Sequence, residues 1–133
     1  MRTRATRTEH GSSTVELAIL APLALVLLLG LLQAGLWFHT RSLCSHAAQQ
    51  GATAAATVSG SSRSGEQAAR GFLARSPSAA TAPEVSTHAG AAAVTVRVAA
   101  KAPLVLPIPG LQIPVEHTAH MSKERFTTPG TTP

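Results

Sequence analysis

The chain has 133 residues, of which 11 are Lys or Arg and 6 are Asp or Glu. Alanine accounts for much of the apolar fraction of 44%, and the chain has one Trp, three Phe and no Tyr. A chain of this length and composition holds at most one small, weakly built domain, which excludes a large enzyme core. The basic residues are scattered and lack aromatic neighbours that would stack on bases, so the pattern excludes a nucleic-acid site.

Residues 17–38 carry no charged side chain. As a helix of about 33 Å this segment matches a hydrocarbon core of about 30 Å, and a helix is the form in which a lone segment satisfies its backbone there. Arg2, Arg4 and Arg7 precede the segment, whereas only Arg41 follows it closely. The positive-inside bias therefore predicts a single-pass protein of the cell membrane, with the lipid bilayer as a partner, a cytoplasmic N-terminus and an extracytoplasmic C-terminal domain.

A cleaved secretory signal peptide is the alternative interpretation of the same segment. The segment is longer than the usual hydrophobic region of about 7 to 15 residues, and Trp37 and Phe38 follow it in place of small residues. Residues 45–47 form a poor cleavage site, so the membrane anchor is favoured.

An acid, Glu16, stands at the mouth of the apolar segment, five residues after Gly11. A carboxylate at a bilayer boundary is costly unless it is neutralised or paired. The simplest interpretation is that Ser12, Ser13 or Thr14 caps the helix and that Glu16 is an acid of the first turn, where the helix dipole favours it.

The block from Gly11 through Glu16 to Pro22 resembles the TadE-like family, pseudopilins of the tight-adherence (Flp) pilus assembly system. The apolar continuation with Gly30 and the Ala- and Gly-rich residues 47–52 are similar to this family as well, so the resemblance covers residues 11–56. The family often has Phe in place of Leu17 and often a second acid where this chain has Gln33.

The resemblance implies a prepilin peptidase that cuts between Gly11 and Ser12 on the cytoplasmic side, so that residues 1–11 form a leader. Gly11 has no side chain to obstruct a protease, and cleavage creates an amine at Ser12 that Glu16 can neutralise in its own chain or in a neighbouring subunit. The implied partners are the peptidase, other pilins and pseudopilins, and inner-membrane platform proteins.

Pro22 lacks the N–H that would bond the carbonyl of Ala18, so we expect a kink in the helix there. The free carbonyl favours packing against another protein helix, although a tolerated membrane proline is an equal alternative. Gln33 is able to hydrogen-bond across helices and to orient such a contact.

We expect the helix to span residues 12–58 and so to extend outside the membrane. A face of small residues recurs at helical spacing and is either part of a core or, as we favour, a subunit interface; its members are Ala47, Gly51, Ala54 or Ala55, and Val58. Cys44 is the single cysteine, which leaves a partly buried thiol or, as the weaker alternative, an intermolecular disulfide. Residues 59–65 are predicted to form a flexible linker.

Residues 66–125 are predicted to form a small external α+β domain. A short helix over residues 66–75 precedes about three antiparallel strands near residues 85–88, 94–98 and 113–121. Four prolines keep the apolar segment between the last two strands out of any interior strand. Residues 126–133 have the composition of a disordered tail.

No catalytic or metal-binding pattern is found. The six histidines include no helical zinc-ligand pair with an acid between them, and His117 and His120 are interpreted as residues of a surface strand. The sequence contains no aspartate. We therefore expect no enzyme, no cofactor and no small-molecule substrate. The rival function is an unprocessed single-pass membrane protein whose external domain binds envelope components.

Overall fold

The computed structural model describes residues 10–57, 59–106 and 108–123, without the side chains of residues 10–13. Five elements occur in this part of the chain, in the order α1 (His10–Ala56), α2 (Ser62–Leu73), β1 (Thr81–Ala89), β2 (Ala93–Ala102) and β3 (Ile113–Ser122). The predicted fold class, a long apolar helix followed by a short helix and a three-stranded antiparallel sheet, is confirmed. The predicted leader up to residue 9 and the predicted tail lie outside the described residues, and the division into domains stays a prediction.

Helix α1 is 47 residues long and continues through Pro22. Its two halves differ in what covers them. From Thr14 to Leu28 every residue is exposed, whereas from Leu29 onwards residues at helical spacing are covered by the rest of the chain. The first part of the helix is therefore an exposed apolar rod, and the second part belongs to the core of a small domain.

Helix α2 begins at Ser62, four residues earlier than predicted, so most of the segment expected to be a linker is helical. The reason is a capping box. The Ser61 hydroxyl accepts from the Ser64 N–H at 3.2 Å, and the Ser64 hydroxyl accepts from the Ser61 N–H at 2.9 Å. These two hydrogen bonds satisfy two backbone N–H donors at the start of the helix. Serines whose composition suggests a flexible linker therefore begin the helix instead.

The sheet has the strand order β1-β2-β3, with both neighbouring pairs antiparallel. All three strands lie where the alternation predicted them, with β1 and β2 extended by five residues each and β3 by one. Pro83 is accommodated because the pairing of β1 with β2 is irregular between Thr81 and Glu84, and Pro114 lies on the edge strand β3. Residues 103–112, called the proline loop below, connect β2 to β3 outside the sheet, as predicted.

The core lies between one face of the sheet and the outer half of α1. Val94, Val96 and Val98 of β2 are fully buried, and so are Ala47 and Ala55 of α1. The small-residue face of α1 is thus part of the core, and our preference for a subunit interface there was wrong. Alanine is small enough to let the sheet and α2 approach the helix closely, which compensates for the scarcity of large apolar residues.

Gly51 of α1 and Gly65 of α2 mark the place where the two helices approach most closely. A Cβ atom on Gly51 would lie 2.9 Å from the Gly65 carbonyl oxygen and 3.1 Å from both the Ala69 Cβ and a Val96 methyl group. A Cβ on Gly65 would lie 2.9 Å from the Ala55 Cβ. Any side chain at either position would push the helices apart.

Two hydroxyl groups of α1 fix its orientation against the rest of the domain. Thr40 is fully buried, and its hydroxyl lies 2.6 Å from the Ala79 carbonyl oxygen just before β1 and 3.0 Å from that of Leu36. The Ser45 hydroxyl lies 3.3 Å from Nε2 of His117 on β3. Cys44, between them, is a fully buried free thiol, which leaves it inaccessible for a disulfide with another chain.

The outer face of the sheet carries an ion pair between Arg97 and Glu116 on neighbouring strands. The guanidinium binds the carboxylate through two nitrogens, with Nη2 at 2.6 Å from Oε2. The hydrogen bond from Arg97 holds the pKa of Glu116 below its ordinary value, and the arginine charge acts in the same direction. Both side chains are about half exposed, so the pair contributes little to stability.

We predict that Gly51→Val destabilises the folded chain by at least about 2 kcal/mol, because the added side chain overpacks the contact between the helices. The measurement is thermal or denaturant unfolding of the full chain in detergent, followed by circular dichroism. Gly71→Val is the matched control, since Gly71 is exposed and nothing lies within 4 Å of its added Cβ. A Gly51→Val variant as stable as the control would contradict the close approach.

We also predict that Glu116 titrates below the ordinary range of a glutamate in an NMR titration and that Arg97→Gln returns its midpoint to that range. A lowered folded-state pKa means that the pair's stabilisation is present above the unfolded-state pKa and is lost as the pH falls through the folded-state value. Arg75→Gln is the control, because this arginine lies just after α2 and bonds the Gly71 carbonyl. An unchanged midpoint in Arg97→Gln would refute the pairing.

Candidate functional site

The predicted cleavage position, Gly11 and Ser12, lies in helical backbone. Helix α1 already includes His10, the first residue that the structure describes, so Glu16 lies beyond the first turn. The interpretation of Ser12, Ser13 or Thr14 as the cap is therefore wrong for the uncleaved chain, because the helix already includes them. Glu16 is exposed.

A chain that started at Ser12 would have Glu16 one helical turn from its new terminus. Residues four apart in a helix share a face, with Cβ atoms about 5–6 Å apart. An amine at the start of α1 and the Glu16 carboxylate would then be neighbours. The same geometry presents Glu16 outward, toward a second chain lying beside the helix.

Large apolar side chains form the surface that follows Glu16. Leu17, Ile19 and Val26 are each about two-thirds exposed, and Leu31 is 72% exposed. The helix is long and apolar enough to cross a membrane by length and composition, and none of its most apolar stretch is buried within the protein. This distinguishes α1 from the core helix of a soluble protein, which is mostly covered by its own chain.

Pro22 lies within this bare part of α1, and the helix continues on both sides of it. Proline has no N–H, so the Ala18 carbonyl lacks its usual partner in the next turn. The predicted kink there stays a prediction.

Gln33 binds the proline loop. Its Nε2 donates to the Pro103 carbonyl oxygen at 3.1 Å, and its Oε1 accepts from the Val105 N–H at 3.0 Å. From its sequence Gln33 is able to hydrogen-bond across helices, but here both ends of its amide bond the loop of its own chain. The sequence held a signal for this contact, since a single amide in an apolar helix needs polar partners and the loop offers backbone groups that no strand uses.

The proline loop lies along the apolar helix. Leu104, Leu106, Ile108 and Leu111 line a groove with α1, on the stretch from Val26 to Gln33. The Ile108 carbonyl accepts from the Leu111 N–H at 3.1 Å, and Gly110 between them has a φ of 82°, which closes a tight turn. The sequence predicted this segment as an extended apolar loop, but not that it would return to the helix.

The aromatic residue Trp37 lies one turn beyond Gln33. It packs against the core, and the guanidinium of Arg41 lies 5.4 Å from its ring centroid. Tryptophan with a neighbouring arginine is typical of the level at which a membrane helix meets water. The order along α1 is thus an acid, a bare apolar stretch, a stretch covered by the loop, and an aromatic-basic pair.

His117 and His120 do not form a joint site. They lie on opposite faces of β3, where His117 contacts Ser45 and His120 Nδ1 lies 3.0 Å from the Thr95 hydroxyl. Among residues 10–57, 59–106 and 108–123, no three His, Cys, Asp or Glu side chains come together as metal ligands would.

Comparison with protein families gives a match to the family described as TadE-like protein, over residues 11–53. The match begins at the predicted cleavage glycine, includes Glu16, Pro22 and Gln33, and ends in the buried part of α1. Comparison with curated proteins and with solved structures finds no match. The α2 helix and the sheet thus lie beyond the matched residues.

The matched residues are those whose geometry was described above: the acid, the bare apolar helix and its extension into the core. The resemblance stated from the sequence is confirmed over residues 11–53, which match the model of the TadE-like protein family.

Proposed function

We propose that the chain is a membrane-anchored minor pseudopilin, a structural or assembly component of a tight-adherence pilus or a related secretion system. In this proposal a prepilin peptidase removes the leader between Gly11 and Ser12, and the mature helix anchors the protein before assembly. A role in pilus assembly fits the TadE-like family. The leader removal and the individual partners are our own inference.

The bare half of α1 is the observation that carries the proposal. Eleven large apolar side chains between Val15 and Leu32 are about half exposed or more. Burying a side chain of this size is worth about 1.5–3 kcal/mol, so leaving all of them in water is untenable. Lipid covers them in the membrane, and neighbouring helices would cover them in an assembly.

Glu16 is the residue we assign to processing or docking. A carboxylate at the inner edge of the hydrocarbon layer favours a cation beside it, and the amine liberated at Ser12 is such a cation one turn away. In an assembly the same carboxylate meets the amine of a neighbouring chain. Pro22, six residues on, leaves the Ala18 carbonyl available for a contact with that neighbour.

The orientation we propose is an N-terminus in the cytoplasm and the sheet domain outside. Three arginines precede the apolar helix, and Arg41 is the first basic residue after it. This asymmetry favours retention of the N-terminal side in the cytoplasm. The expected partners are the bilayer, a prepilin peptidase, other pilins and pseudopilins, and inner-membrane platform proteins.

The family resemblance gives no reason to expect catalysis, because TadE-like proteins are generally not enzymes. Chemistry on this chain would then be done by the peptidase, with the chain as substrate. We therefore propose a protein without cofactor or small-molecule substrate.

The N-terminus of the mature protein tests the proposed processing. In a cell with an active prepilin peptidase, mass spectrometry should find a chain that begins at Ser12, and Gly11→Leu should abolish that cleavage because its side chain obstructs the approach to the bond. Gly35→Leu is the matched control, since Gly35 has open space around it within the same helix. An intact N-terminus with normal pilus formation would instead support the unprocessed surface protein, and a start near Ala48 would establish secretion.

A second prediction concerns the acid. Glu16→Gln should lower the co-isolation of the mature chain with other pilus proteins by at least about tenfold, since the amine at Ser12 loses its counter-ion. The control is Glu84→Gln, which removes an exposed glutamate from the sheet. A Glu16→Gln chain that is processed and assembled like the wild type would eliminate the role given to Glu16.

A further inference from the structure

The proline loop is the second place where the protein exposes large apolar side chains. Among the described residues, exposed large hydrophobic side chains occur in α1 up to Phe38, at Leu106, Ile108 and Leu111 of the loop, and at Met121 of β3. The loop residues lie beside the apolar helix, whereas the outer face of the sheet carries charged and polar groups. The apolar surface of the loop is therefore continuous with that of the anchor.

The length of the bare helix shows where the loop lies relative to a membrane. From Glu16 at the inner edge to Leu28, the last residue before the helix is covered, there are 12 residues, or about 18 Å. A hydrocarbon core is about 30 Å thick, so about 12 Å remain to be crossed. Those 12 Å correspond to about eight further residues, which end at Leu36, just before Trp37.

The stretch needed to complete the span is the stretch that carries the loop. Gln33, which binds Pro103 and Val105, lies within it, about 6 Å below the level of Trp37. If the helix crosses the hydrocarbon layer, the loop must lie on the hydrocarbon side of Trp37.

We propose that the proline loop, residues 103–112, is immersed in the outer leaflet of the bilayer as a second, non-spanning membrane contact, with lipid acyl chains against Leu106, Ile108 and Leu111. This inference rests on the membrane anchorage proposed above. The occupant of the groove between loop and helix is lipid, because the loop continues the lipid-facing surface of the anchor and carries no charged residue.

The prolines and hydrogen bonds of the loop lower the free-energy cost of placing its backbone in hydrocarbon. Irregular backbone in hydrocarbon is normally excluded because its polar groups lack partners. Here three of the ten loop residues are prolines without an N–H, and the N–H groups of Val105, Ile108 and Leu111 donate within the chain. Gln33, a costly amide in a membrane helix, gains its partners from the same loop. The Gln33 amide thus bonds one carbonyl and one N–H of the loop, and two further loop N–H groups bond carbonyls within the loop.

Gly30 leaves space in this groove. A Cβ atom built on it meets nothing within 4 Å, and Gly30 lines the groove together with Leu106 and Ile108. A methylene chain would fill this space with apolar contacts on both sides. Lys101, at the end of β2 before the loop, has a side chain long enough to place its ammonium among lipid phosphates.

The test is depth-dependent quenching of a single tryptophan in the full chain, reconstituted in phosphatidylcholine vesicles. Trp37→Phe removes the one native tryptophan. Leu106→Trp then reports on the loop, Leu25→Trp on the bare helix and Ser86→Trp on the outer face of the sheet. The quenchers are lipids brominated near the headgroup end or near the middle of their acyl chains.

We expect the Leu106→Trp emission to be quenched most by bromine near the headgroup end and the Leu25→Trp emission most by bromine near the chain middle, while Ser86→Trp is unaffected. If Leu25→Trp is quenched but Leu106→Trp behaves like Ser86→Trp, the loop proposal fails and the anchor stands. If Leu25→Trp also escapes quenching, the anchor fails and the loop proposal with it.

Leu111→Trp provides a second loop probe should Leu106→Trp disturb folding, which circular dichroism of each variant reports. A loop tryptophan with blue-shifted emission that no lipid quenches would mean that a protein, such as a second copy of this chain, covers the loop, and this would overturn the proposal.

Discussion

The exposed apolar surface of α1 from Val15 to Leu32 constrains everything else in this protein. Among residues 10–57, 59–106 and 108–123 no segment covers it, because the small domain reaches only as far as the level of Val26 and covers one side of the helix from Leu29 onwards. A surface of this size requires an apolar environment, and in a single chain that environment is lipid. The membrane anchorage, the role of Glu16 and the immersion of the loop that we propose all rest on this one requirement.

The outer half of the same helix is held by a different kind of packing. Alanine and glycine dominate its buried face, and Gly51 meets Gly65 where α1 and α2 approach each other. Small residues bury little area each, so the domain depends on close approach and on β2, whose three valines are fully buried. A domain built in this way has little capacity to fold apart from the helix that forms half of its core.

The link between the two halves is Gln33 with the proline loop. The amide fixes the loop to the helix at the level where the bare rod becomes a covered one. Where the TadE-like family often has a second acid, this chain has a neutral side chain that bonds its own backbone. A carboxylate at that position could accept from the Val105 N–H but could not donate to the Pro103 carbonyl.

Much of this architecture could be predicted from the sequence because its signals are local. The uncharged segment, the alternation of Val94, Val96 and Val98, and the prolines after β2 each predicted the correct element. The start of α2 was missed because the serines around residue 61 suggest a linker by composition and a cap by position. The small-residue face was misassigned and the loop's return to α1 was unforeseen, since both depend on contacts between residues far apart in the chain.

For the candidate site, sequence alone supplied the positions of Gly11, Ser12 and Glu16, and the family match includes them. What it could not supply was that α1 already includes His10, which places Glu16 beyond the first turn of the uncleaved helix. The loop backbone groups that bond the Gln33 amide were equally hidden, because a separation of about seventy residues leaves no periodic pattern.

Alkaline extraction of membranes from cells that produce the full chain tests the central claim most directly. High pH strips proteins that are held by polar contacts but leaves those whose helix crosses the hydrocarbon. The account predicts that the chain stays in the membrane pellet. Its release into the supernatant would show that α1 is covered by something other than lipid, and the anchor would have to be abandoned.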